Sequence, residues 1–376
     1  MIPESAPLWL ILLAFIAALG PLVFFHELGH YLVARWLGIP AETFSIGFGR
    51  EIVGWTDKQG TRWKVGWLQL GGYVKFVGDM GPASEPAAAD SVPPELRARA
   101  FQFRPVWQRF LVVLAGPAAN FLLAILIFAA FFSLVGAPLT NVVGAVSPNS
   151  AADRAGIEPG DRIVAIADRS TSSFAEIFNT VAIRANEPVT VRVERGDQVR
   201  EVAVVLGSDT FKDSNGVEMK RGLLGISPSL SAFERVPPWT AVPMATSYTI
   251  SLTRSIFDGL VRLVTGVISP KQLGGPIKIA QIAGEGASAG LLPFVQLIAL
   301  LSINLGFINL LPVPMLDGGH LALYTIEAVR RRPLSERAME WTFRGGLALL
   351  LALVMFTTIN DLDSIGLWDR LQRLIG

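Results

Sequence analysis

The chain has 376 residues, of which 51% are hydrophobic and 17% charged, against roughly 25% charged in ordinary soluble domains. Its net charge of +1 argues against nucleic acid as a partner, and with no cysteine it has no disulfide, thiolate metal site or cysteine nucleophile. A mean hydropathy of +0.47 points to a membrane protein with a water-soluble part attached. There are three histidines, His26, His30 and His320, so a metal site must be built from these and from carboxylates.

In chain order, the first predicted element is an apolar helix from about Pro7 to Leu37. It is long enough to span a bilayer, which takes about twenty apolar residues. It is not read as a cleaved signal peptide, because it lacks a basic leading region and its apolar character continues past the histidines. It carries FFHELGHYLV at positions 24 to 33. Polar groups at that depth are costly and need a reason. In H-E-x-x-H on a helix, His26 and His30 project from one face a turn apart and can share a zinc ion. Glu27 can then reach a water beside that ion. Two structural histidines bonding across a bundle would not explain the glutamate.

The loop from 38 to 104 contains Arg50, Lys58, Arg62, Lys64, Lys75, Arg97, Arg99 and Arg104. Extended segments are expected from Glu42 to Phe48 and from Arg62 to Val77. A second span is expected from about Arg109 to Val135. Next comes VVGAVSPNSAADRAGIEPGDRIVAIADR, Val142 to Arg169, followed by VTVRVERGDQVREVAVVL, Val189 to Leu206. The latter alternates as two strands joined by a Gly-Asp turn. With RGLLGI at 221–226 as a closing strand, the order resembles a PDZ domain. Residues 232 to 290 are apolar with scattered charges. Within them Arg254, Asp258 and Arg262 share one face of an amphipathic helix, read as lying on the membrane surface, with a fifth span as the less favoured alternative because it would reverse the C-terminal half and break the arginine pattern.

The third span runs from about Leu291 to Val313 and leads into NLGFINLLPVPMLDGGHLALYTIE at 304–327. Pro312 and Pro314 break the helix, and Gly318 and Gly319 let the backbone approach closely. A broken helix at membrane depth is tolerated where it is buried in protein or lines a wet cavity. A catalytic zinc needs a third protein ligand, and both Asp317 and His320 qualify by chemistry. A fourth, short span is expected from about Gly345 to Ile359. The third loop contains Arg330, Arg331, Arg332 and Arg337. The positive-inside rule makes both basic loops cytoplasmic, placing both termini and the segment from 136 to 290 outside.

HELGH, AGPAAN at 115–120 and the asparagine-proline-LDG segment resemble the motif set of site-2 proteases, zinc metalloproteases that cut inside membranes. GFG at 47–49, LQLGGYVK at 68–75 and LGGPIKIA at 273–280 extend the resemblance over nearly the whole chain. A PDZ domain between the second and third spans looks like the bacterial RseP-like branch, the regulator-of-sigma-E proteases. The best-known enterobacterial form has two PDZ domains and this chain has room for one.

The resemblance implies His26, His30 and Asp317 as zinc ligands and Glu27 as general base, with His320 close by or structural. It implies that Asn309 and Asn304 bind substrate backbone, and that Asn120 and Gly116-Pro117 pack near the site. The expected fold is an α-helical polytopic membrane protein of about four transmembrane helices, with a membrane-associated β-hairpin and one extracytoplasmic PDZ domain. The parts are the first helix (1–37), a loop with reentrant β-structure (38–104), the second helix (105–137) and the PDZ domain (138–228). An amphipathic region (229–290), the LDG segment (291–330), a loop with the fourth helix (331–360) and a periplasmic tail (361–376) follow.

The implied partners are transmembrane segments of single-span proteins, such as trimmed anti-sigma factors or remnant signal peptides, and the lipid bilayer. The implied location is the bacterial inner membrane, with termini and PDZ domain periplasmic. Two rivals are a metal transporter, which needs further buried ligands along a path, and a non-catalytic PDZ scaffold, which has no need of Glu27.

Overall fold

The computed structural model describes residues 7–78, 97–138, 141–171, 174–196, 198–212, 218–229, 233–266, 270, 273–332 and 335–364. The chain divides into two compact units, Met1–Phe128 with Val242–Gly376, and Ala129–Ala241.

The first unit opens with α1, Leu8–Trp36, which carries Pro21 inside it. Strands β1, Ala41–Thr56, and β2, Arg62–Phe76, follow, then α2, Val106–Leu134. The two strands do more than form a simple hairpin. Ala41 pairs with Phe76, Phe44 with Val74 and Ile46 with Gly72. On its other side the same stretch pairs Thr43 with Arg62 and Ile46 with Val65, and Val65 pairs in turn with Val53. The hairpin therefore folds back on itself into four rows, ordered 53–56, 62–65, 43–46 and 72–76, antiparallel at both outer pairs and parallel between the two central rows.

The fold-back begins at GFG, where Gly47 and Gly49 take φ of 84° and 83°, a region open to glycine at little steric cost. The first strand thus runs on to Thr56, beyond the extended segment expected to end at Phe48. Asp57 ties the sheet to α1. It accepts hydrogen bonds from Tyr31 Oη and Trp63 Nε1, both at 3.1 Å, and from the backbone N–H groups of Gln59 and Thr61. Burial pushes its carboxyl up, but these donors outweigh burial and hold it at about 2.

The second unit contains β3 (Val143–Val146), α3 (Ala151–Arg154), β4 (Arg162–Ile166), α4 (Phe174–Ala182), β5 (Pro188–Arg195) and β6 (Gln198–Val205). Three further strands close it: β7 (Gly207–Lys212), β8 (Glu218–Leu223) and β9 (Ile226–Pro228). β4, β5 and β6 pair antiparallel. The alternation of β5 buries Val189, Val191 and Val193 beside Ile163, Ile166 and Ile177. Asp161, from the Pro-Gly-Asp turn, is buried and receives Arg195 Nε at 2.6 Å and Nη2 at 2.7 Å. Burial works to raise its carboxyl, and Arg195 with the Glu158 backbone N–H brings it below its ordinary value. The stretch RGLLGI is not one closing strand. Arg221 to Leu223 pair with β7, Gly225 turns the chain at φ 83°, and Ile226 pairs with Val146.

The remaining helices are α5 (Pro238–Val264), α6 (Pro276–Ser288), α7 (Leu291–Leu310), α8 (Asp317–Arg330) and α9 (Glu336–Ser364). Among the described residues four helical stretches are long and apolar enough to cross a membrane: Leu8–Trp36, Val106–Leu134, Leu291–Leu310 and Arg344–Asp363. The fourth is longer than its sequence expectation, because α9 continues through Asn360 and Asp361. Asp361 has a packing reason to be there. Its buried carboxylate accepts from the backbone N–H groups of Gly275, Ile277 and Lys278 at 2.9 to 3.0 Å. It thus satisfies donors that the first turn of α6 leaves unpaired and complements that end of the helix dipole. The expected tail lies outside the described residues beyond Ser364.

Candidate metal centre

His26 and His30 lie one turn apart on α1, both buried, with Nε2 atoms 3.3 Å apart. Asp317 is the first residue of α8. It brings Oδ2 to 3.1 Å from His26 Nε2 and Oδ1 to 3.6 Å from His30 Nε2. Among the described residues these three form the group able to hold a metal ion, with ligand atoms all within 4.8 Å of one another. His320 lines the adjoining cavity without joining that group.

Asp317 is delivered by the break between α7 and α8. Met315 takes φ 75°, a conformation costing a non-glycine residue on the order of 1–3 kcal/mol. The glycines that follow are needed for packing. A Cβ on Gly319 would lie 2.9 Å from Pro314 Cα, and one on Gly318 would meet the backbone at Leu310 and Leu311. Farther along α8, Glu327 accepts from Arg109 Nη2 of α2 at 2.7 Å, and the guanidinium lies 4.8 Å from the Tyr324 ring centre. Both charges are largely buried, so the pair fixes α8 against α2.

The donor chemistry of the cluster fits a divalent cation. His30 Nδ1 donates to the Val112 carbonyl at 2.9 Å, which leaves the Nε2 lone pair directed into the cluster. Asp317 Oδ2 is buried and makes no hydrogen bond of good geometry, although His26 Nε2 is near. Two imidazole nitrogens and an unsatisfied carboxylate oxygen converging in a buried place are what an ion would satisfy. Two histidines, one carboxylate and an open side match a catalytic zinc site.

Glu27 sits beside the cluster, buried on α1. The Val74 backbone N–H bonds its carboxylate. A Cβ on Gly72 would lie 2.9 Å from Glu27 Cγ, so this glycine lets β2 approach the acid. A cavity of about 360 Å³ joins these parts, lined by the four residues named and by Phe48, Gly71, Tyr73, Val74, Asn309 and His320. Asn309 therefore reaches the cavity. Asn304 does not line it: its amide donates to the Leu300 carbonyl at 3.1 Å within α7.

Gly116 and Asn120 face α1 from the same side of α2, as their four-residue spacing requires. A Cβ on Gly116 would lie 2.9 Å from His30 Cδ2 and closer still to Cε1 and Nε2. The expected result for Gly116→Ala is a displaced imidazole and zinc affinity about 10–100-fold weaker, the range seen when a ligand loses its support. Gly20→Ala on α1 is the control, because a Cβ there has nothing within 4 Å. Chelator competition on the two purified variants checks this, and equal affinities would exclude the steric argument.

The model of peptidase family M50 matches residues 14–353 of this chain. A candidate zinc metalloprotease of Agrobacterium fabrum is 43% identical over 358 residues, covering 93% of this chain and 95% of that protein. The metalloprotease MmpA of Caulobacter vibrioides is 40% identical over 382 residues, covering 94% and 96%. Among solved structures, the PDZ domain of an SdrC-like protein from Listeria monocytogenes aligns with 23% of this chain and 84% of its own. It does so at 19% identity and a TM-score of 0.19.

Proposed function

We propose, from the premise that this chain belongs to peptidase family M50 and is a membrane zinc metalloprotease of the site-2 type, that it hydrolyses peptide bonds within transmembrane segments of single-span proteins. The observation that carries this reading is the cluster of His26, His30 and Asp317 beside Glu27. His26 and Glu27 sit on a helix long and apolar enough to cross a membrane, and Asp317 begins the helix that follows another such helix.

His26, His30 and Asp317 would hold the zinc. Bound there, the ion supplies Lewis-acid polarisation of the scissile carbonyl and makes a water acidic near neutral pH. Glu27 would hold the proton that the attacking water gives up as its oxygen bonds the scissile carbonyl carbon, and pass it to the amine nitrogen as the C–N bond breaks. Asn309 bonds substrate backbone from the cavity wall. A transmembrane helix already has its backbone hydrogen-bonded, so a stretch of it must unwind before attack. The row 72–76 has a strand partner on one side, the row 41–46, and Gly72 and Val74 line the cavity. Its other edge offers hydrogen bonds to an extended substrate.

The basic loops are cytoplasmic in this reading, by the positive-inside rule. Both termini and the second unit, a single PDZ domain, then lie on the periplasmic side of a bacterial inner membrane. Trimmed anti-sigma factors and remnant signal peptides are substrates of the right form, a single apolar helix with little folded mass outside the bilayer.

The test is cleavage of tagged single-span proteins by the purified enzyme in vesicles, with the cut mapped by mass spectrometry. A cut inside the apolar segment, abolished by a zinc chelator, is expected. Cuts confined to the flanking soluble parts would overturn the reading.

A further inference from the structure

The two histidines of the cluster are supported differently. His30 has a backbone carbonyl for its Nδ1 proton. His26 has Asn120, whose side chain is fully buried with Nδ2 3.1 Å from His26 Nδ1. Asn120 Oδ1 is also buried and has no hydrogen-bond partner.

The orientation of this amide decides what His26 can do. With the amide N–H donating to Nδ1, the imidazole proton must sit on Nε2. That nitrogen then has no lone pair to offer an ion beside Asp317. A half-turn of the amide brings Oδ1 to the ring. His26 Nδ1–H then donates, and Nε2 is free to ligate. The turn only exchanges which end of the amide lacks a partner, so the ion itself selects the orientation.

We propose that Asn120 is a positioning residue for zinc, with its side-chain oxygen accepting the Nδ1 proton of His26 and so fixing the tautomer that ligates. The inference rests on the reading of His26 as a ligand. Its place in the fold supports the role. Ser302 Oγ of α7 donates to the Asn120 main-chain carbonyl at 2.8 Å, and a Cβ on Gly306 would come within 3.3 Å of Asn120 Cβ. α7 thereby holds α2 at the position where α2 holds α1.

The test uses the full-length protein in detergent and reads zinc affinity by chelator competition, together with the thermal transition of the metal-free form. Asn120→Asp keeps an acceptor at either end and is expected to retain zinc within a few-fold. Asn120→Leu keeps the bulk without an acceptor and is expected to weaken zinc about 10–100-fold. A purely structural role predicts the reverse: Leu tolerated and the buried charge of Asp harmful. Wild-type affinity in Asn120→Leu, or loss of zinc in a folded Asn120→Asp, overturns the proposal. Wild-type protein decides independently of either variant. In zinc-loaded, histidine-labelled protein the 15N spectrum should show His26 protonated at Nδ1, and protonation at Nε2 overturns it. Full zinc affinity in His26→Ala would instead sink the ligand reading beneath it.

Discussion

Glu27→Gln is expected to leave zinc bound while lowering proteolysis by about 10²–10⁴-fold, the usual contribution of a positioned general base. Glu27 follows His26 directly, so on α1 its side chain leaves the helix about a quarter-turn away from the ligand pair. It is buried beside the cluster, outside the group of ligand atoms. The Val74 N–H that bonds its carboxylate can bond a glutamine carbonyl equally well. The substitution therefore removes a proton acceptor with little change of shape. Zinc content by atomic absorption and cleavage of a single-span substrate are measured on one preparation. Zinc lost together with activity would make Glu27 a ligand or a structural element instead of the base.

The second large effect concerns the third ligand. Asp317→Ala is expected to weaken zinc by more than about 100-fold, beyond what loss of a supporting partner costs, and to abolish cleavage. His320→Ala is expected to keep zinc and substantial activity. Asp317 oxygens lie 3.1 and 3.6 Å from the two Nε2 atoms, and Oδ2 has no well-formed hydrogen bond. A carboxylate also cancels one of the two zinc charges, which matters where the dielectric is low. With His320 in its place the site would stay doubly positive, with Asp317 a buried anion nearby. Full zinc in Asp317→Ala with none in His320→Ala would reverse the assignment.

The sequence by itself determined the local parts of this protein. The spacing in HELGH puts two imidazoles on one face because an α-helix repeats every 3.6 residues. The apolar runs predicted helices of membrane length because the bilayer leaves the backbone no other partners. The strands at Val189 to Leu206 were readable from their alternation. Asp317 and His320 were both chemically eligible and the family resemblance pointed to Asp317; the turn at Met315 and the glycine packing around Pro314 show how it reaches the histidines. The fold-back of the hairpin was out of reach for a related reason. A period of two marks a strand without naming its partners, and Ile46 pairs with both Gly72 and Val65. Asn120 stands in a motif that placed it near the site, yet its hydrogen bond to His26 joins two helices far apart in the chain. Side-chain periodicity is a property of one segment. Which side chains meet is a property of how segments pack, and tertiary structure alone decided it.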